Sequence, residues 1–328
     1  MGFWLENVVI KSKLPYPIFF VALNAALYLG GLAIAAATGN VQPYFAQPRW
    51  VIMAVFGTFN GIAIFLVLRL FRRSLASVKP LLMMEPDAWT ASQQDLLKQV
   101  TYPVYWIPVA FWLAFSFYHS FILGSGWWTI GTVYEQPRIV AAYGYIYQGI
   151  AGCLLGGMLM GMLPINLNLA FWKLSSPRMY SDNCVTRKGK SCFRSLKNLI
   201  ILNTATLVVS TGIAMSLWME VLPLAPVVGS FAELIPAAVL PNYLFHNLLA
   251  RSKDKKLGEL EGDLADVSGI KENASIRDLI RFEVLSREEE KTRHETTWLV
   301  DLHAVIELMA VSLVHVIIIE GLSIFLHF

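Results

Sequence analysis

VVGSFAELIPAAVLPNYLFHNLLARSKDKKLGELEGDL, residues 227–264, decides how this chain is read. Its first half is an apolar run of membrane-spanning length, since crossing a bilayer takes about 20 mostly apolar residues. One carboxylate, Glu233, falls inside that run, and Pro236 and Pro241 follow it. Each proline removes a backbone donor and frees a carbonyl one turn earlier. The apolar run ends at His246. A basic cluster follows (Arg251, Lys253, Lys255, Lys256), and then Leu257, Leu260 and Leu264 recur at helical spacing among acids. A buried acid, two helix breaks and a lever leaving the bilayer therefore share one continuous piece of chain. An ionisable group at that depth is costly and points to a cavity, a partner or a pathway.

The rest of the chain fits the same setting. It has 328 residues, of which 15% are charged, where a soluble domain carries about 25%. Mean hydropathy is +0.54. Apolar runs at about 17–37, 50–70, 102–123, 139–170, 198–217, 227–249 and 297–328 predict an all-α polytopic membrane protein with about seven transmembrane helices. The first run is too long for the core of a signal peptide. Residues 1–250 are read as the bundle, 251–296 as a helical cytoplasmic segment, and 297–328 as the last transmembrane helix. The polar stretches 74–101 and 173–197 join 251–296 in a small cytoplasmic module. The run 139–170 is longer than a perpendicular helix needs, which predicts tilt or a break near Pro164.

Lys and Arg accumulate on the cytoplasmic side of membrane proteins. With the N-terminus inside, all 26 of them except Arg49 and Arg138 fall on that side, which puts the C-terminus outside. This predicts a multi-pass integral protein of a cell or inner membrane. The basic stretch 173–197 is expected to meet anionic lipid. No aromatic stacking pattern goes with its charge, so nucleic acid is not expected as a partner. A homo-oligomer is expected. The three cysteines make no disulfide framework. Cys153 reads as a small core residue, and Cys184 and Cys192 as solvated thiols.

The fifth run is the most polar, with Asn203, Thr204, Thr206, Ser210, Thr211 and Ser216. Hydroxyls can bond back to their own helix, but Asn203 needs a partner or water. Gly152 with Gly156, and Gly157 with Gly161, are small-xxx-small pairs that let another helix approach closely. Asp301, His303 and Glu307 cluster at the start of the last run, where His303 and Glu307 share a face. Neither a Glu-x-x-His nor a His-Glu-x-x-His pair occurs, so no metal is expected. No phosphate-binding loop, nucleophile elbow or other catalytic motif is present, and no cofactor is implied.

Seven spans with the N-terminus inside and a helical segment before the last span resemble the layout of insect-type chemosensory channels. That resemblance is one of architecture and transfers no site. The function expected from these residues is a channel or transporter-like protein that moves a cation or proton. Glu233, Pro236, Pro241, Asn203, Thr206 and Ser210 would form its path or gate. The alternatives are a non-conducting sensor or scaffold that binds a partner through residues 251–296, and a membrane enzyme using His303 and Glu307.

Overall fold

The computed structural model describes residues 4–101, 138–176, 186–218, 235–268 and 276–300, and the single positions Ala110, Ala114, Tyr180 and Cys184. Its helices are α1 (Trp4–Ser12), α2 (Tyr16–Ala37), α3 (Val41–Ala46), α4 (Arg49–Val78), α5 (Pro86–Val100), α6 (Arg138–Tyr147), α7 (Leu163–Leu174), α8 (Arg187–Trp218), α9 (Leu240–Ser268) and α10 (Ile276–His294). Among the described residues no strand forms, and only Leu82 and Tyr180 make an isolated bridge. The protein is thus helical. Among the described residues, four stretches are long and apolar enough to cross a membrane: Tyr16–Ala37, Arg49–Leu81, Tyr143–Leu174 and Gly189–Ala214. They coincide with the first, second, fourth and fifth apolar runs. The third run apart from Ala110 and Ala114, residues 227–234 of the sixth and residues 301–328 of the last lie outside the described residues.

α4 is the central helix and packs on α2, on α8 and on the stretch Gln148–Gly156. Its buried face repeats at helical spacing through Phe56, Ile64, Val67, Phe71, Leu75 and Val78. Between helices in a membrane, close contact does the work that water exclusion does in a soluble core. Two glycines make that contact possible. A Cβ on Gly61 would collide with the ring of Phe20, and one on Gly156 would sit 2.8 Å from the ring of Phe56. At the other end of α4, three tyrosine hydroxyls donate to carbonyls of α2: Tyr44 to Tyr28 at 2.7 Å, Tyr143 to Leu27 at 2.6 Å and Tyr147 to Asn24 at 3.4 Å. Trp50 lies among their rings, stacked on Tyr143 and Tyr147.

Several boundaries differ from the sequence reading. The arginines at 69, 72 and 73 end the apolar run at residue 70, but α4 continues to Val78. They point outward while Phe71, Ser74, Leu75 and Val78 stay buried, so the charges stop the bilayer-compatible segment and not the helix. The basic stretch 173–197 is not a loop throughout. α8 starts at Arg187, because Phe193, Leu196, Leu199 and Ile200 form a buried stripe beneath exposed Arg194 and Lys197. Cys184 is buried and Cys192 is half-buried on α8, so Cys184 is not a solvated thiol. It lies near Tyr180, whose hydroxyl burial holds well above its ordinary pKa and so keeps neutral.

Pro164 does not kink its helix at one point. The turns before it, Gln148–Gly156 and Met158–Met162, are wound as a wider π-helix. A second π stretch, Ile235–Val239, precedes Pro241. In both places the wide turns stop just short of a proline. The missing proline N–H leaves a carbonyl without its ordinary partner, and the wider winding passes that carbonyl to the next donor along. Residues 297–300, expected to open the last transmembrane helix, are not helical.

Candidate functional site

α4 and α8 place their polar residues against one another. Asn60 and Ser210 are both fully buried. The Ser210 hydroxyl donates to Asn60 Oδ1 at 2.7 Å, which leaves Asn60 Nδ2 without a partner. Asn203 lies two turns earlier on α8, about 10 Å along the axis and on nearly the same face. It is buried, and its Oδ1 has no partner. A buried amide group left unpaired costs about 1–3 kcal/mol. α2 repeats the pattern, because Asn24 Nδ2 donates to Phe20 at 2.9 Å while its buried Oδ1 is unpaired.

The π stretch at 235–239 packs against this seam. Pro241 removes the N–H that would reach back to Ala237. The Thr204 hydroxyl donates to Ile200 at 2.8 Å and lies 3.4 Å from that Ala237 carbonyl. Thr206 spends its hydroxyl on its own helix, at Leu202 and Asn203. Of the expected path residues, Asn203 and Ser210 therefore share a face with Asn60. Thr204 and Ala237 bring α8 to the turn that holds Pro236 and precedes buried Pro241. Glu233 lies outside the described residues, as do Asp301, His303 and Glu307. Gly152, Gly156, Gly157 and Gly161 all fall in or between the π stretches before Pro164, and a Cβ on Gly152 would meet only ordinary contacts at 3.6 Å.

Asn24, Asn60, Asn166 and Asn242 were not singled out from sequence. The available signal was an amide inside an apolar run, as in FFVALNAALYL and FGTFNGIAIF. Asn166 Nδ2 caps the end of α5 at the Val100 carbonyl, 2.9 Å away. Asn242 has the most partners. Its Nδ2 donates to Val300 at 2.8 Å, and its Oδ1 accepts from the Val300 N–H at 3.1 Å.

That pair belongs to a junction at residues 295–300. His246 Nδ1 lies 2.8 Å from the Thr297 hydroxyl, and its ring stacks on Trp298 at 4.0 Å. Lys253 Nζ donates to the carbonyls of Arg293 and Glu295, at 2.6 and 3.0 Å. A lysine there satisfies the orphan carbonyls at the end of α10 and complements its dipole. Lys190 of α8 makes an ion pair with Glu295 at 2.5 Å, without hydrogen-bond alignment. Asn242, His246 and Lys253 lie within about 40° of one another around α9. One stripe of α9 therefore grips the strap that joins α10 to the last segment.

The seam holds neutral amides and hydroxyls. Such groups can coordinate a dehydrated ion or order water. Among the described residues no group of three His, Cys, Asp or Glu could hold a metal ion. No family model, no curated protein and no solved structure matches the chain.

Proposed function

We propose that the protein is a channel or transporter-like membrane protein moving a cation or proton, with about seven transmembrane helices, the N-terminus inside and the C-terminus outside. The path runs along the seam of Asn60, Ser210 and Asn203 and past the loosened turn before Pro241. Glu233, two residues before that turn, attracts the cation or carries the proton. The observation that supports this most is the unpaired Oδ1 of Asn203 in a buried position beside a π-helical turn. Unpaired oxygens inside a bundle are expensive unless something polar passes or stays there. The same helix α9 carries the turn at one end and the junction with α10 further along, so movement of the cytoplasmic hairpin reaches the seam directly. The test is cation or proton flux into liposomes holding the purified protein. Glu233→Gln is expected to abolish or alter the flux, and unchanged flux in that variant removes Glu233 from the path.

A second reading is a non-conducting sensor or scaffold. The exposed apolar side chains on α10 favour it. It predicts no flux from wild type under any ionic or pH condition, and partner capture that depends on residues 251–296 but not on Glu233.

A further inference from the structure

α1 carries two different flanks. Leu5 and Val9 form its buried stripe and belong to the main hydrophobic cluster. Beside that stripe, Glu6 accepts a hydrogen bond from Arg72 of α4 at 2.5 Å. Trp4 and Val8 each stand two residues from Glu6, about 160° around the helix, and so lie on the other flank. Both are exposed, and exposed Lys11, two turns after Trp4, shares their flank. Asn7 points opposite the buried stripe and is exposed too. Ile10 is exposed on the Glu6 flank, and a single aliphatic side chain in water is ordinary.

Contacts with α4 fix the level of this helix. Tyr16, at the start of α2, stacks on Phe65 inside the apolar run, with ring centroids 5.5 Å apart. Glu6 meets Arg72 seven residues further along α4, about 10 Å away. That run ends at residue 70, so α1 sits where apolar surface gives way to charge. Lys13 has φ 59°, a left-handed conformation that ends the right-handed helix between α1 and α2. α1 therefore does not continue the line of α2. The charge at this level is one-sided. Glu6 is the single acid in residues 1–84, and Arg72 holds it. Lys11, Lys13, Arg69 and Arg73 are exposed, and none of the four makes an ion pair among the described residues. Arg69 and Arg73 stand about 60° and 100° around α4 from Arg72, on the same side of it.

We propose that α1 is a membrane-surface anchor and that anionic lipid covers it, in the leaflet on the side of the N-terminus. Glu6 turns to the charged end of α4, and Trp4 and Val8 turn the other way, into the boundary of headgroups and acyl chains. Lys11 lays its stem along that boundary and its ammonium at the phosphates. Lys13, Arg69 and Arg73 complete the headgroup site. Two observations name lipid as the occupant. The apolar flank is continuous with the exposed apolar face of α2, which begins at Ile18 and Val21. The four cations beside it call for negative charge that residues 1–84 do not supply. An aromatic and aliphatic flank edged by lysine is the pattern of a helix lying in the interface. The proposal rests on the helices crossing a membrane and not on conduction.

The test puts a nitroxide on single cysteines of the full-length protein, in a background lacking Cys153, Cys184 and Cys192, and reconstitutes it in nanodiscs. Access of the label to oxygen is compared with access to a neutral nickel chelate, and helix content is checked by circular dichroism. Val21→Cys, on the exposed face of α2, reports whether the bundle is inserted. In phosphatidylcholine mixed with phosphatidylglycerol, Val8→Cys is expected to favour oxygen, as Val21→Cys does, and Asn7→Cys to favour nickel. In phosphatidylcholine alone, Val8→Cys is expected to shift toward nickel, and added inorganic phosphate is expected not to reverse that shift. Changing Lys11, Lys13, Arg69 and Arg73 together to Gln is expected to abolish the difference between the two lipid mixtures. Nickel preference at Val8→Cys in both mixtures, with oxygen preference at Val21→Cys, overturns the anchor and leaves the membrane placement standing. Nickel preference at both positions removes both. Equal oxygen preference at Val8→Cys in both mixtures, a four-residue variant that keeps the difference, or reversal by phosphate overturns the assignment to anionic lipid.

Discussion

Asn242 is where one side chain holds most. It pairs with both the N–H and the C=O of Val300, 58 residues away. Truncation would strip two buried backbone groups of their partner at about 1–3 kcal/mol each. Asn242→Ala is therefore expected to cost about 3 kcal/mol and to lower the thermal midpoint in detergent by several degrees. An unchanged midpoint would mean that water replaces the side chain. Gly156 and Gly152 make a second comparison at this scale. Gly156→Ala drives a methyl into the ring of Phe56, 2.8 Å away, whereas Gly152→Ala meets only contacts of 3.6 Å or more. The first is expected to cost about 1–3 kcal/mol, and the second to stay within about 0.5 kcal/mol. Equal effects would argue against the close approach of that helix to α4. None of these differences shows in a hydropathy pattern, where both glycines and every lone asparagine look alike.

Among the elements, α9 carries the account. Its first turns are opened by a proline, its middle grips the strap at 295–300, and its far end pairs with α10. Pro241→Ala returns an N–H to the Ala237 carbonyl and allows the π stretch to wind as an ordinary helix. Helix stability is expected to rise, and any ion flux to change with it. A flux identical to wild type would show that the wide turn is packing alone. Lys253→Met removes the donor to the last carbonyls of α10. Amide exchange is expected to quicken near residues 291–300 and to stay slow along α4. Part of this element was legible beforehand: the helical spacing beyond His246 and a disturbance of the helix near the two prolines. The grip was not, because Asn242, His246 and Lys253 find partners 40 to 58 residues away. Likewise, arginines mark where an apolar run ends, but only the buried stripe from Phe71 to Val78 shows that the helix continues.

At the scale of the whole molecule, the seam joins groups 150 residues apart, Asn60 and Ser210, so it is a property of the bundle and not of any one run. Composition pointed to a helical protein with helices that can cross a membrane, and to Asn203 and Ser210 as polar residues inside them. It could not pair Ser210 with Asn60, since that depends on how α4 and α8 stand together. The proposed orientation is open to a direct check with single cysteines in a background lacking Cys153, Cys184 and Cys192. A cysteine replacing Lys255 is expected to react with a membrane-impermeant thiol reagent only from the inside, and one replacing exposed Gln42 only from the outside. The reverse pattern would invert the topology.

The central claim is that the unpaired oxygen of Asn203 serves conduction and not folding. The most direct measurement compares wild type with Asn203→Leu at matched insertion in liposomes, reading cation flux and thermal stability on the same samples. The account predicts that flux is lost while stability holds or rises, because an orphaned polar atom has been replaced by an apolar group of similar size. Flux at the wild-type level, or loss of flux only in step with unfolding, would contradict it.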